Sequence, residues 1–288
     1  MFQIVTDACC DLPAEVMEKA NVDCIPMILE LEGKEYSDDS GKSFDYDWFL
    51  DKLKENAEPK TTQINVGRFI EFFRSYLEKK IPVLYLGFTS GMSGSYSSSL
   101  QAVEILKEEF PDATLVSLDT KAASLGQGML VMEAVRLRDE GKSMEEIIAW
   151  MTQYKMHLRS WVTVNDLKQL VHGGRISKTS ATVGGLLSIK PIITVDRPGS
   201  LQNVDKIRGR KKSIQKIIEE TQKELDLSIS NCFYIAHSGD DEVVETIVDH
   251  FKKTYPKTPV YTYSLGPTIA SHTGYGCIAL FSMGKKER

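Results

Sequence analysis

Cysteine is scarce and poorly arranged for cross-linking. The 288 residues hold five, at Cys9, Cys10, Cys24, Cys232 and Cys277, an odd number with irregular spacing and no C-x-x-C pattern. That argues against a disulfide framework and fits reduced thiols in a cytoplasmic protein. The adjacent Cys9 and Cys10 point apart in most backbones, so no zinc site is expected. Long apolar runs are also missing. None reaches the roughly 20 residues of a membrane-spanning helix, so no stable membrane insertion is expected. The start, "MFQIVTDACCDLP", shows no basic stretch leading into an apolar one, and no secretory signal is read there. Positive charge is not in excess: 35 Lys and Arg stand against 40 Asp and Glu, a net charge of −5. A nucleic-acid partner would normally show as a basic face. There is no internal repeat and no low-complexity segment.

What is present is ordinary for a soluble globular chain, with 42% hydrophobic and 26% charged residues. The length suits two domains or one large one. Up to about residue 160, strands alternate with helices. "FQIVTD", "IPVLYLGF" and "ATLVSLDT" are strand-like, and "GRFIEFFRSYLEKK" is an amphipathic helix. "VDCIPMILEL" reads as one β-prone stretch, and "AEPKTTQINV" as a polar connection. Asp11 is a helix N-cap candidate, and Leu100, Val103, Leu106 and Phe110 fall on one helical face. Beyond residue 160 the pattern changes. "KPIITVDRPGSLQNVDKIR" is a hairpin around a Pro-Gly turn, and the last segments read strand, helix, strand, strand. Asp240 is placed to cap the helix before those strands. The expected fold is α/β in two domains, a parallel-sheet domain at 1–160 and an α+β domain with a mixed sheet at 161–288.

Several short stretches carry chemistry. "YLGFTSGMSGSYSSSL" (residues 85–100) ends a strand and follows it with Thr89, Ser90, Ser93 and Ser95 among Gly91 and Gly94. Glycines allow close backbone approach to a ligand, helix-start N–H groups favour an anion, and hydroxyls add neutral donors. Equally, Ser93 or Ser95 could simply cap the helix. A nucleophile elbow is incomplete here, since Ser95 stands where G-x-S-x-G needs its last glycine. A hydrolase would need Ser93 with His272 as base and Asp119 or Asp7 to orient it. A phosphate loop is excluded by the missing lysine. "PKTTQIN" offers the hydroxyls of Thr61 and Thr62, or plain turn residues. "GPTIASHTGYG" sets His272 among glycines and hydroxyls in a loop after a strand. His237 in "IAHSGDDE" reads as structural. Arg175 follows the helix stop of "VHGGRIS" and suits an anion, a partner carboxylate or solvent.

Seven of these segments together resemble one family. "VTDACCDLP", "PKTTQ", "TSGMSGSYSSS", "LKQLVHGGRISK", "LLSIKPII", "IAHSGD" and "GPTIASHTGYG" occur in the order seen in the DegV-like fatty-acid-binding proteins of bacteria. They span residues 5 to 276. Ala8 and Cys9 depart from the family's usual Ser-rich turn, Thr62 stands for the commoner Ser, and Ile64 for the commoner Pro. The resemblance implies a long-chain fatty acid held between the two domains, no other cofactor, and no turnover by the protein alone. It also implies a partner, a separate ATP-dependent fatty acid kinase protein that phosphorylates the bound carboxyl group for phospholipid synthesis. Carried over, the carboxylate-holding residues are Thr61 or Thr62, Ser93 with the backbone at Gly94, and His272. Arg175 is implied in kinase docking. Met27, Ile28 and Leu29, or Leu186, Leu187 and Ile189, are either tunnel wall or plain core.

Overall fold

The computed structural model describes residues 2–177 and 188–288. Lys178, Leu186 and Leu187 of the stretches quoted above lie outside them. The first part runs β1 (Gln3–Asp7), α1 (Ala14–Lys19), β2 (Val22–Ile25), β3 (Met27–Leu31), β4 (Lys34–Asp38), α2 (Tyr46–Lys54) and β5 (Lys60–Thr62). It continues with α3 (Val66–Leu77), β6 (Val83–Gly87), α4 (Ser95–Glu109), β7 (Leu115–Asp119), α5 (Leu125–Asp139) and α6 (Met144–Tyr154). Then come β8 (Leu158–Thr163), α7 (Lys168–His172), β9 (Ile189–Val195), β10 (Leu201–Arg208) and α8 (Arg210–Lys223). The chain finishes with β11 (Phe233–His237), α9 (Asp241–Thr254), β12 (Val260–Ser264), α10 (Pro267–Thr273) and β13 (Ile278–Met283).

These elements build the expected α/β protein with two main sheets. A four-stranded parallel sheet has the order β2-β1-β6-β7. Its inner strand β6 is buried at every position, the mark of a parallel strand covered on both faces. A six-stranded mixed sheet has the order β10-β9-β8-β13-β11-β12, parallel at β11–β12 and antiparallel elsewhere. A third, antiparallel sheet, β4-β3-β5, was not foreseen from the sequence.

Pro26 explains that third sheet. Proline has no N–H to give a ladder, so the apolar run "VDCIPMILEL" breaks into β2, in the parallel sheet, and β3, in the small one. Glu32 and Gly33, both at positive φ, then turn β3 back into β4. The supposed polar connection at "PKTT" is β5, which pairs with β3.

Other expectations are corrected. Asp11 does not cap α1, which starts after Pro13 with no side-chain cap. Leu100 is 41% exposed. The packed face of α4 instead carries Ser95, Ser99, Ala102, Val103 and Leu106. Ser99 can face inward because its hydroxyl bonds to Tyr96 O and to Ser117 Oγ. Asp240 sits at the N-cap of α9, but its carboxylate pairs with Arg210 and does not cap.

The parallel sheet is locked to its loops by Asp7. Its buried carboxylate accepts from Tyr85 Oη at 2.7 Å, Phe88 N at 2.9 Å and Cys9 N at 3.1 Å. Burial raises its pKa, and these three donors oppose that shift. Replacing it by Ala strands three buried donors. Asp7→Ala is therefore expected to cost about 3 kcal/mol in urea unfolding, and Asp7→Asn, which keeps an acceptor, clearly less. A loss below about 0.5 kcal/mol for Asp7→Ala would show that this bracing is unimportant.

Candidate functional site

Residues from the mixed sheet, the small β4-β3-β5 sheet and the loops after β1 and β6 wall a cavity of about 850 Å³, mouth included, within the range of small-molecule sites. From the first part come Cys9, Met27, Phe88 and Met92; from the mixed sheet come Val162, Ile193, Ala279 and Phe281. Most of the wall is apolar. Thr61, Gln63, Ser93, Arg175 and His272 supply its main polar side chains.

Those polar groups are neighbours. Thr61 Oγ1 and His272 Nε2 are 2.8 Å apart. His272 Nδ1 lies beside Gly173, where an added Cβ would come within 2.1 Å of it. The Gly173 carbonyl accepts from Arg175 Nη1 at 2.5 Å, and Arg175 Nε donates to Met92 O at 3.2 Å. Met92 leads directly into Ser93. A continuous chain of contacts thus joins the late histidine to the Ser-Gly loop.

Strand periodicity divides the two threonines. In β5, Thr61 stands opposite Leu29 and Thr62 opposite Ile28. Side chains alternate across a strand. Met27, Leu29 and Thr61 therefore share one face, where Leu29 is fully buried and Met27 and Thr61 reach the cavity. Thr62 is exposed on the other face, with Ile28, and does not line the cavity. Leu29 and Ile189 are absent from the wall as well.

Ser93 lies in the loop between β6 and α4. Gly94, which directly precedes α4, has no side chain to cap it, and the Ser93 hydroxyl takes the first helical N–H instead. Ser95 Oγ accepts from Ile64 N at 3.1 Å, and Ser93 Oγ accepts from Ser95 N at 3.2 Å. The two hydroxyl oxygens are 3.0 Å apart. With Ser95 donating to Ser93, the Ser93 proton is free to be given to a ligand. Gly94 does not line the cavity but lets Gln63 in, since a Cβ there would meet Gln63 Oε1 at 2.2 Å.

His272 occupies the last turn of α10, not a loop. Pro267 at the first helical position and Gly274 just past the end are the sequence signature that marks this short helix. Its start is held by two carboxylates from the far end of the chain. Asp11 Oδ1 accepts from Gly266 N at 2.9 Å and Asp38 Oδ2 from Thr268 N at 3.1 Å. Burial raises both carboxyl pKa values, that of Asp38 to about 6. The imidazole is shifted the other way. Burial, then the Arg175 charge and His172, lower the His272 pKa to about 4. It is neutral at pH 7.

The cavity is not ringed by uncharged donors alone, because Arg175 stands in its wall, half-buried. Two of its N–H groups are already given to carbonyls. The catalytic triad of a hydrolase is not assembled. His272 Nε2 faces Thr61, and its Nδ1 has no partner among the described residues. Asp7 is taken up by Tyr85, Phe88 and Cys9, and Asp119 pairs with Lys121. Neither carboxylate orients the ring. His237 lies away from this cavity, 3.5 Å from Asp241. Gln63, Met92 and Cys9 are wall residues that the sequence did not single out; each neighbours a quoted motif residue. Among the described residues, no group of three or more His, Cys, Asp or Glu is placed to hold a metal ion, and no helix is long and apolar enough to cross a membrane.

Fold and site together define an α/β protein in which both parts of the chain wall a largely apolar cavity with one polar cluster. The chain belongs to the DegV family, whose model, described as "Uncharacterised protein, DegV family", matches residues 1–285. It is 39% identical over 283 residues to a DegV domain-containing protein of Clostridium perfringens, covering 98% of this chain and 97% of that one. Its structure is similar to that of a stearic acid-binding protein from Eubacterium ventriosum, with 27% identity, a TM-score of 0.88 and 99% of both chains covered. It is similar too to a fatty-acid-binding DegV family protein from Thermus thermophilus, with 29% identity and a TM-score of 0.84 over 98% of this chain and 99% of that one. The Streptococcus pneumoniae Fatty Acid Kinase (Fak) B3 protein, loaded with linoleic acid, has the same fold at 22% identity, with a TM-score of 0.85 over 99% of this chain and 100% of that one.

Two measurements check the site geometry. Unfolded histidine titrates near 6.5 and the buried His272 near 4. Between those values the unfolded chain binds a proton that the folded one refuses, so stability falls as pH drops from 6.5 to 4, by about 3 kcal/mol for this group. His272→Gln is expected to lose correspondingly less over that window in urea unfolding; equal losses would place the imidazole in solvent. Gly173→Ala is expected to push the ring off Thr61, seen as a changed His272 imidazole signal by NMR with the fold retained. An unchanged signal would contradict the packing.

Proposed function

We propose that this protein binds one long-chain fatty acid in the cavity and presents its carboxylate to a separate ATP-dependent kinase. The observation that carries the reading is the pairing of a large apolar wall with one cluster of hydroxyl and imidazole donors, Thr61, Ser93 and His272. The fatty acids carried by similar structures agree with it.

The energetics suit this division. Burying about fourteen methylenes at ~0.8 kcal/mol each is worth about 11 kcal/mol gross. Association costs of about 4–15 kcal/mol come off that sum. The tail supplies affinity, so the head needs orientation more than a strong ion pair. Ser93 has a proton to donate. Thr61 and His272 share one between them, and a carboxylate drawn to the pair selects the tautomer that points a donor at it. The bound anion favours the protonated imidazole, so binding is coupled to proton uptake as pH falls below 7.

Arg175 has its charge beside this cluster and its fork engaged by Met92 O and Gly173 O. It steadies the Ser93 loop and offers a positive charge near the head, which a partner carrying ATP can use. One carboxylate oxygen, not clamped bidentately by arginine, keeps its nucleophilicity for attack on the terminal phosphorus of ATP, which breaks the bond to the bridging oxygen, releases ADP and leaves an acyl phosphate. The protein itself performs no turnover in this reading, and the chemistry belongs to the partner.

Lipid extraction and mass spectrometry of the purified protein are expected to yield one equivalent of a long-chain fatty acid. Ser93→Ala and His272→Ala are each expected to weaken palmitate or oleate retention about tenfold, the worth of one charge-assisted hydrogen bond. Recovery of no lipid, together with wild-type retention by both variants, would overturn the assignment.

A further inference from the structure

Of the polar side chains in the cavity wall that the head cluster does not use, one lies within the mixed sheet. Ser160 is 2% exposed, lines the cavity, and its hydroxyl has no hydrogen-bond partner among the described residues. It sits in the middle of the mixed sheet on β8. Strand register sets its neighbours: Phe281 of β13 lies directly opposite on one side. On the other, β8 pairs with β9 through Val162–Ile193 and Thr163–Ile192, a register that brings Val195 opposite Ser160, and Leu201 of β10 follows. The row Phe281, Ser160, Val195, Leu201 is thus apolar except for one hydroxyl, and all four line the cavity. The next row, Ala279, Val162, Ile193, is wholly apolar and lines it as well.

Most other hydroxyls of this wall have work of their own. Ser124 donates to Asp11 Oδ2, Thr273 donates to Ile269 O, and Thr61 meets His272. Thr268 Oγ1 also has no hydrogen-bond partner among the described residues, but it sits in α10 beside the Asp38 carboxylate that takes its N–H, a polar setting unlike that of Ser160. A buried hydroxyl with nothing to bond to is costly and rare in folded proteins. A saturated hydrocarbon chain packed on Ser160 leaves it unsatisfied, whereas an oxygen on the chain satisfies it. Sites holding an unpaired polar group discriminate sharply against ligands that lack its counterpart, while purely apolar sites reject an added hydroxyl only weakly.

We propose that Ser160 is a specificity-determining residue, and that the preferred ligand is a long-chain fatty acid carrying a hydroxyl part-way along its chain. Serine both donates and accepts, so it matches a hydroxyl in either sense. The proposal rests on the fatty-acid reading of the cavity and adds the chemistry of the tail.

The test is competition binding of stearic acid and of positional isomers of hydroxystearic acid to the wild-type protein and to Ser160→Ala. One hydroxystearate isomer is expected to bind the wild type about tenfold more tightly than stearate, the worth of one satisfied buried hydrogen bond. In Ser160→Ala that preference disappears, while stearate binds as well as before or better. If stearate binds but no isomer is preferred, or if the preference survives in Ser160→Ala, the inference is overturned and the fatty-acid reading stands. If neither stearate nor any hydroxystearate binds, that reading fails and this one with it. The wild-type preference is measured without a variant, so misfolding of Ser160→Ala cannot hide the answer.

Discussion

The bond between Thr61 Oγ1 and His272 Nε2 joins residues 211 positions apart in the chain. Everything proposed for the polar end of the cavity depends on it. An imidazole taken out of water needs a partner on at least one nitrogen, or the burial is costly. Thr61 is that partner, and it reaches the ring only because β5 pairs with β3 in one register. Slipping that register by one residue would turn Thr62 inward instead. At the far end of α10, Asp11 and Asp38 hold the backbone, so the short helix is fixed at both ends by the first part of the chain. The polar cluster is therefore a seam between the two parts and not the property of either.

Electrostatics follow from the same seam. The ring is neutral because it is buried and because Arg175 is near. Arg175 in turn gives two of its N–H groups to backbone carbonyls. A fully free guanidinium in this place would grip a carboxylate with two parallel bonds and hold it fast. The observed arrangement is softer: two of the guanidinium N–H groups are engaged, and the groups beside it are hydroxyls and a neutral imidazole.

Much of this was legible in the sequence. Glycines crowd the motifs because backbone or side chains must come close there. Gly173 makes room for the His272 ring and Gly94 for the Gln63 amide. The hydroxyl-rich loop after β6, open in the sequence to a ligand or a capping role, places Ser93 in the cavity wall. What misled was local appearance. "PKTT" has the composition of a connection, yet it is a strand because β3 offers an edge to pair with. "GPTIASHT" reads as a loop for its glycines and hydroxyls, although Pro267 and Gly274 mark a helix. Leu100 has helical spacing with Val103 but is exposed, because the face that packs is the one carrying the small serines.

By itself the sequence determined the alternation of strands and helices, the change of pattern near residue 160, and the residue types able to bind an anion without a metal. These are local properties, set by hydrophobic period, turn chemistry and side-chain donors, which are written within a few residues of one another. Only the tertiary structure decided which of Thr61 and Thr62 faces inward, that Arg175 braces the Ser93 loop, and that the Ser160 hydroxyl lies unpartnered between Phe281 and Val195. Those depend on strand register and on contacts between segments far apart in the chain, and no local pattern encodes either.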